Sequence, residues 1–353
     1  ARGLTFSVTP RGRYVDDQPL NLRTVGTDAA GTSKVALLQQ HGVNTVRTYR
    51  MPERDLLDEF ARQGIKVIVG FRPQDIASGA YVNYIQANRT HPAILMWELG
   101  NEENFKDQGK WAENRQKATA YLQILRASGG SGLAALKQAS TNPVIQALPD
   151  AGAVTDDQLR AVFYDENSWY LILQQAAGDI KALDQAGGVQ QHPVSTANWN
   201  LPQAQWLKAL TNVDVIGVNV YPWDDLSEVN RYLQEVQQQL GIVKAMYLSE
   251  TGTDSQDNSI PAEDQAAQAV AFSELWRQID EQSSVHNPNN LFIGVTFMTA
   301  FDEWWKAGNP DRQDIGGYAI DVPYDGEVTE EKLGLFDIDG KPKMAARLMQ
   351  RLW

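Results

Sequence analysis

The sequence predicts an α/β fold, a single (β/α)8 barrel, from three observations: eight short apolar runs, helical sequence after each run, and a length of 353 residues. Runs such as KVIVGF, VDVIGVNV and LFIGVTFM are apolar at consecutive positions, as expected for parallel strands that are covered on both faces. Their alternation with amphipathic stretches indicates repeated βα units. One such barrel fits this chain length, although two ordinary domains also fit.

Eight strands are predicted in chain order, with a hairpin over residues 1–19 that plugs or flanks the barrel before the first strand. The predicted strands are 20–25, 45–49, 66–71, 94–99, 193–197, 215–220, 245–249 and 292–298. Amphipathic segments such as SKVALLQQH and RDLLDEFARQ predict helices on the outside of the barrel. Gly42 and Gly64 are expected to end two of these helices in the left-handed conformation.

A long insertion is predicted after strand four. Residues 103–167 separate that strand from its returning helix at 168–184, which is far more than an ordinary βα loop. Loops that follow strands lie at the C-terminal mouth of a barrel, so the insertion is expected to form one wall of an active-site cleft, with 311–335 as a second wall. A surface subdomain without a role at the cleft is the alternative. Residues 1–353 are predicted to be one catalytic domain.

Composition excludes several functions. The formal net charge is -13, from 44 acidic and 31 basic residues, so nucleic acid and anionic membrane surfaces are repelled. The chain has no cysteine, and its four histidines are scattered, so we expect neither a metal site nor a cofactor. No apolar run is long enough for membrane insertion. We expect a secreted or periplasmic protein whose leader has been removed, with a cytoplasmic location as the alternative; the oligomeric state is not predicted.

Two glutamates follow strands on opposite sides of the predicted barrel mouth. Glu102 lies in WELGNE after strand four, and Glu250 lies in SETG at the end of strand seven. Glycosidic bond cleavage needs a carboxylic acid and a carboxylate, and a pair about 5 Å apart gives a retaining enzyme. Glu98 and Glu103 are less favoured alternatives for the acid. Asp302 and Glu303 are candidates for contact with substrate hydroxyls.

These motifs resemble the 4/7 superfamily of glycoside hydrolases, clan A, whose catalytic domain is a TIM barrel. The resemblance runs from residue 20 to residue 353, and is nearest to the barrels of family 2 glycosidases, β-1,3-glucanases and β-glucanosyltransferases. It is carried by NTVRTYR, GIKVIVGF, HPAILMWELGNE, VDVIGVNVYPW and SETG. The resemblance implies that Glu102 is the acid/base and Glu250 the nucleophile.

The resemblance also implies roles for three polar residues. Asn101 is expected to hydrogen-bond the sugar 2-hydroxyl, Arg47 to keep the nucleophile ionised, and Tyr221 to donate to the nucleophile. Without the resemblance, Arg47 reads as a surface ion-pair residue. Glu102 is expected to have a raised pKa, because it is partly desolvated and close to the negative charge of Glu250.

Aromatic residues at the ends of predicted strands are candidates for sugar binding, because pyranose rings present apolar faces. Trp304 or Trp305 is expected to form the floor of the subsite that holds the reacting sugar, with Tyr49 and Trp223 beside it. The tryptophans at 97, 206, 276 and 353 lie within strand or helix patterns and are expected in the core.

The function predicted from these features is a retaining glycoside hydrolase that acts on a β-linked oligosaccharide or polysaccharide, with a β-glucan favoured. A β-glucanosyltransferase with the same catalytic pair is the alternative, because water and a sugar hydroxyl can intercept the same intermediate. A carbohydrate-binding barrel without turnover is less favoured, since all the named polar residues are present.

Overall fold

The computed structural model contains a closed barrel of eight parallel strands. It describes the chain apart from residues 128, 187, 189–190, 223–224, 242, 261, 316–318 and 321–326. The barrel strands β1 to β8 are Arg2–Thr5, Thr45–Thr48, Lys66–Phe71, Ile94–Asn101, Val194–Trp199, Val215–Asn219, Ala245–Glu250 and Phe292–Phe297. Each strand pairs with its neighbours in chain order, and β1 closes the barrel by pairing with both β2 and β8. The predicted (β/α)8 fold is confirmed.

Helices surround the barrel. In chain order, α1 to α5 are Leu22–Val25, Lys34–Gln40, Arg54–Arg62, Pro73–Ala77 and Ala80–Asn88. The next five, α6 to α10, are Trp111–Ala127, Ser131–Ala139, Pro143–Gln146, Asp156–Tyr164 and Glu166–Gln185. The last four, α11 to α14, are Ala204–Ala209, Ser227–Leu240, Gln265–Gln282 and Met344–Leu352. Short 3-10 turns lie in the connecting loops at Val15–Asp17, Gln108–Lys110 and Glu330–Lys332. Two-stranded antiparallel ribbons are formed by Gln256–Asp257 with Ala262–Glu263 and by Ala319–Ile320 with Glu327–Val328.

The first strand was predicted in the wrong place. Residues 20–25 contain the one-turn helix α1 instead, because the side chain of Asn21 caps the amide of Thr24 and Gly26 ends the turn at a φ of 70°. Strand one is formed by β1, whose Leu4 is fully buried. The hairpin predicted over 1–19 is therefore also wrong, since β1 lies inside the barrel sheet. The other seven strands were predicted within two residues of their observed ends.

The barrel has an inner and an outer apolar region. Ile68, Met96, Val215 and Tyr247 come from β3, β4, β6 and β7 and contact one another, so this buried cluster fills the barrel interior. The main core joins the outer faces of the strands to the helices. The tryptophans at 97, 206, 276 and 353 all belong to or pack against this core, as predicted.

The insertion after β4 is helical. Helices α6 to α9 lie between β4 and α10, and α6 packs against α4, α7, α9 and α10. The insertion is thereby attached to the barrel beside the end of β4. No described helix is both long and apolar enough to span a lipid bilayer.

Candidate active site

Glu102 follows β4 in a strained turn. Its φ is 56°, a left-handed value that residues with a side chain rarely adopt. Gly100 precedes it at a φ of 69°, and a Cβ there would lie 2.6 Å from the ring of Trp169. The turn is also held by a hydrogen bond from the Glu102 amide to the carbonyl of Ala197, at 2.9 Å. These contacts fix the position from which the Glu102 side chain leaves the backbone.

Glu250 is the last residue of β7 and receives three hydrogen bonds. Arg47 Nη1 and the hydroxyl of Tyr49 both donate to Oε1 at 2.8 Å, and the hydroxyl of Tyr221 donates to Oε2 at 3.0 Å. The Glu250 side chain is almost completely buried. Donors from a cation and two phenols stabilise the ionised carboxylate, which is the form that a nucleophile needs.

Arg47 connects the polar groups beneath the cavity. It is 1% exposed, on β2, and its Nε donates to Glu98 at 2.5 Å while its Nη2 donates to the side-chain oxygen of Asn101 at 2.7 Å. Its Nη1 donates to Glu250 and, at 3.4 Å, to the carbonyl of Ser249, so the guanidinium contacts four different residues. The reading of Arg47 as a surface ion-pair residue is wrong, because the barrel end buries it.

Asn219, the last residue of β6, orients the other glutamate and was not singled out from the sequence. Its Nδ2 donates to Glu102 Oε1 at 2.7 Å and lies 3.2 Å from Oδ1 of Asn101. Its own Oδ1 accepts from the hydroxyl of Ser249 at 2.6 Å. A polar residue that ends the apolar run VDVIGVN was the available sequence signal.

The surroundings of Glu102 favour its protonated form. Burial, and then the charge of Glu250, raise the pKa of Glu102 to about 7, although the hydrogen bond from Asn219 opposes this shift. Burial and the Glu250 carboxylate also hold the pKa values of Tyr49 and Tyr221 well above the usual range, so both phenols stay protonated donors. The site therefore combines a proton donor with a stabilised carboxylate.

Both glutamates line one cavity of about 890 Å³ at the C-terminal end of the barrel. Of the residues predicted from the sequence, the cavity brings together Tyr49, Asn101, Glu102, Tyr221, Glu250 and Trp305. Lys110 contributes from the insertion, and Val328, Glu330 and Leu333 contribute from the predicted second wall. Trp223 lies outside the described residues.

Trp304 was one of two candidates for the cavity floor, and the structure places it elsewhere. It lines a second cavity of about 390 Å³, where the guanidinium of Arg11 lies 4.2 Å from its ring centre. Trp305 is the member of the pair that faces the glutamates' cavity. Consecutive residues in a turn point in different directions, and the sequence did not indicate which tryptophan faces inward.

Glu98 is a structural carboxylate below the site. Its Oε1 pairs with Arg47, and its Oε2 accepts from Tyr247 and, at 3.1 Å, from Ser195. It is 1% exposed and does not line the cavity, so it is not placed to serve as the acid.

Glu103 points away from the cavity into the insertion. It accepts from Tyr121 at 2.7 Å and pairs with Lys117 at 3.2 Å, both on α6. The alternative assignments of the acid to Glu98 or Glu103 are therefore not supported by the geometry. Asn101 and Glu102, which lie between them in the chain, line the cavity instead.

The two acids after β8 have separate positions. Asp302 is buried against the ammonium of Lys343 at 2.7 Å, away from the cavity of the glutamates. Glu303 lines that cavity and is paired with Lys306 at 3.3 Å, and Lys306 also contacts Glu330 at 2.9 Å. Lys306 and Glu330 were missed by the sequence analysis. Lys306 lies three residues after Glu303, whereas Glu330 reaches Lys306 only through the packing of a distant loop.

Within the part of the chain that the structure describes, His, Asp and Glu side chains form no group of three or more that could hold a metal ion. The polar side chains that line the cavity include carboxyl, phenol, amide, guanidinium and ammonium groups.

Comparison with protein-family models and with curated sequences finds no match. Among solved structures, a family 2 β-galacturonidase from Eisenbergiella tayi is 17% identical with a TM-score of 0.50, over 90% of this chain and 46% of that one. A β-glucuronidase from Ruminococcus gnavus is 14% identical with a TM-score of 0.53, over 91% and 45%. β-Glucuronidase 2 from Bacteroides uniformis is 13% identical with a TM-score of 0.54, over 99% and 35%.

The chain spans less than half the length of each of these three proteins. The likeness at such low identity lies in the backbone: the chain has a closed (β/α)8 barrel, consistent in fold with the TIM-barrel domain of family 2 glycoside hydrolases.

Proposed function

We propose that this protein is a retaining β-glycoside hydrolase in which Glu250 is the nucleophile and Glu102 is the acid/base. The observation that carries the proposal is the difference between the two carboxyl groups of one cavity. Three donors stabilise the charge of Glu250, whereas burial raises the pKa of Glu102 to about 7. A paired carboxylate and carboxylic acid is the requirement for cleavage of a glycosidic bond.

In the first half-reaction, a carboxylate oxygen of Glu250 forms a bond to the anomeric carbon while the bond to the leaving oxygen breaks. Glu102 transfers its proton to that oxygen, so the leaving group departs as an alcohol and the sugar remains as a Glu250 ester. Asn219 holds the Glu102 carboxyl through a 2.7 Å hydrogen bond and so fixes the direction of proton transfer.

In the second half-reaction, the Glu250 ester carries no charge. The part of the raised Glu102 pKa that comes from Glu250 is then removed, so Glu102, which has given its proton to the leaving oxygen, stays a carboxylate that can accept a proton. A water molecule gives that proton to Glu102 and its oxygen attacks the anomeric carbon, which restores the carboxylate of Glu250. Two displacements return the original β configuration.

Asn101 is proposed to bind the sugar 2-hydroxyl. Its Oδ1 faces the donors Arg47 Nη2 and Asn219 Nδ2, at 2.7 and 3.2 Å. In that orientation the Nδ2 group of Asn101 remains as a donor for the substrate. Arg47 thus supports two parts of the proposed mechanism, the ionised nucleophile and the orientation of the amide.

The substrate that we propose first is a β-linked glucan or gluco-oligosaccharide. The cavity volume is sufficient for more than one sugar ring, and Tyr49 and Trp305 contribute aromatic surface to its lining. The β-glucan preference rests on the resemblance of the barrel motifs to β-1,3-glucanases. A β-glucanosyltransferase uses the same first half-reaction and replaces water by a sugar hydroxyl in the second.

A β-uronide is a second candidate substrate, favoured by Arg50. This residue follows β2 and lines the cavity, and its buried Nε and Nη2 atoms have no hydrogen-bond partner among the described residues. Its Nη1 donates to the carbonyl of Gln18. A guanidinium with two unused donor atoms suits a sugar carboxylate. The solved structures with this fold include β-glucuronidases, which agrees with the same candidate.

Covalent trapping tests the mechanism. A 2-deoxy-2-fluoro-β-glucosyl fluoride, and its uronic acid analogue, should inactivate the enzyme and leave a mass increase on the peptide that contains Glu250. Labelling of another residue, or release of an α-configured first product from a β substrate, would refute the assignment. Laminari-oligosaccharides, compared with aryl β-glucuronides, identify the substrate class. Products longer than the laminari-oligosaccharide donor indicate transfer.

A further inference from the structure

We propose that Phe105 and Trp199 form an aromatic platform that binds the leaving-group sugar ring of the substrate, an inference that rests on the proposed function. Phe105 follows the turn of Glu102, and Trp199 is the last residue of β5. Their rings lie 5.0 Å apart at an angle of 38°, yet the residues are 48% and 42% exposed. Contiguous exposed aromatic surface beside a cavity is typical of a binding site.

The platform is held by one side chain. Asn104 Nδ2 donates to the carbonyl of Trp199 at 2.9 Å, and the amide of Trp199 donates back to Asn104 Oδ1 at 2.8 Å. This pair of hydrogen bonds ties the loop after β4 to the end of β5. The two backbone segments that carry the rings are therefore held together before substrate binds, which lowers the entropy cost of binding.

Two residues with strained backbone conformations lie next to the platform. In the described part of the chain, Glu102 and Asn200 are the two non-glycine residues with a left-handed φ, of 56° and 53°. The backbone carbonyl of Glu102 accepts a hydrogen bond from the amide of Phe105 at 2.9 Å, and Asn200 directly follows Trp199. Strained residues persist where the surrounding contacts hold them, and they concentrate at functional sites.

The position of the acid decides which part of the substrate the platform meets. Glu102 must reach the leaving oxygen, so the leaving group lies on the side of β4 and β5, whereas Glu250 lies on β7. Trp199 lines the cavity that contains both glutamates. A pyranose ring offers an apolar face that packs on indole and phenyl rings. The occupant is thus the sugar on the leaving side of the cleaved bond.

Trp199→Ala, with Trp199→Phe as the ring-retaining control, tests the platform. Each variant is compared with the parent on a β-linked disaccharide and on the β-glycosyl fluoride of the same reacting sugar, whose leaving group has no ring. We expect Trp199→Ala to lose about tenfold in kcat/KM on the disaccharide and less than about twofold on the fluoride. Trp199→Phe should recover most of the loss, and Phe105→Ala should show the same selectivity.

The fluoride does not need an acid, so the pH dependence on the disaccharide is measured as well. If the basic limb of the kcat/KM profile on the disaccharide is unchanged in Trp199→Ala, the platform is supported. A shifted basic limb would overturn it, because the loss of kcat/KM would then act through the ionisation of Glu102. Equal losses on the disaccharide and the fluoride would also overturn it. If the parent turned over neither substrate, the proposed function itself would fail, which is a different result.

Discussion

Arg47 Nη1 lies 2.8 Å from Glu250 Oε1, and the same guanidinium lies 2.5 Å from Glu98 through its Nε. One buried cation thus serves two buried carboxylates at the end of the barrel. Charges that are removed from water must be paired, and removal of one partner leaves the others uncompensated. The position of Arg47 consequently links the stability of the barrel to the proposed nucleophile.

Replacement of Arg47 should therefore damage both properties. Arg47→Ala is expected to lower the free energy of unfolding by about 3–5 kcal/mol and to reduce kcat/KM by at least about a hundredfold. Urea unfolding and steady-state kinetics measure the two effects. The double variant Arg47→Ala with Glu98→Gln removes one uncompensated charge and should regain part of the stability without regaining activity. An unfolding free energy equal to that of the parent in the single variant would contradict the paired-charge account.

The pKa of Glu102, about 7, predicts a basic limb in the pH profile. Because Glu102 must be protonated to assist departure of the leaving group, kcat/KM on an unactivated β-glycoside should fall as the pH rises above about 7. A 2,4-dinitrophenyl β-glycoside does not need the acid, so its kcat/KM should lack this limb. The same basic limb on both substrates would exclude Glu102 as its origin.

The same raised pKa predicts an effect on stability. The folded protein binds a proton at Glu102 more tightly than the unfolded chain does, so protonation of Glu102 stabilises the folded state. This stabilisation is complete below pH 4.5 and is lost as the pH rises through about 7. Glu102→Gln removes the ionisation and should raise the free energy of unfolding at pH 8 by about 1–3 kcal/mol, but not at pH 4. Denaturant unfolding at both pH values tests this, and an equal change at each would contradict it.

The two phenols that donate to Glu250 should stabilise the negative charge of the proposed nucleophile. Tyr49→Phe and Tyr221→Phe each remove one donor to Glu250 and keep the ring, so we expect kcat/KM to fall by about ten- to a hundredfold. Tyr84→Phe is the matched control, because the Tyr84 hydroxyl donates to the carbonyl of Pro52, away from the cavity. Equal losses in the control and the two site variants would indicate a structural effect.

The local pattern of apolar and polar residues was sufficient to predict most of the fold. Long apolar runs such as the one in β3 are recognisable because both strand faces are buried. β1 has four residues and was not predicted, because its burial depends on pairing with β2 and β8 at distant positions in the chain. Which segment forms the strand that closes the barrel therefore depends on partner strands that are distant in the sequence.

The candidate site was predictable to the extent that it lies at strand ends. Glu102 and Glu250 could be named because a barrel sends its C-terminal strand ends to one mouth. Asn219 and Arg50 could not be recognised, because their importance comes from what they contact or leave unpaired in three dimensions. The choice between Trp304 and Trp305 needed the conformation of a turn, which residue type alone does not determine.

The final prediction separates the roles of the two glutamates by the configuration of a product. Glu250→Ala should abolish turnover, and azide should restore cleavage of a 2,4-dinitrophenyl β-glycoside, because the removed side chain leaves space on the face that Glu250 attacks. One displacement by azide gives an α-glycosyl azide. In Glu102→Ala, Glu250 still forms the ester, and azide then attacks from the opposite face to give the β-glycosyl azide. Proton NMR of the two products distinguishes them, and a β product from Glu250→Ala would exclude Glu250 as the nucleophile.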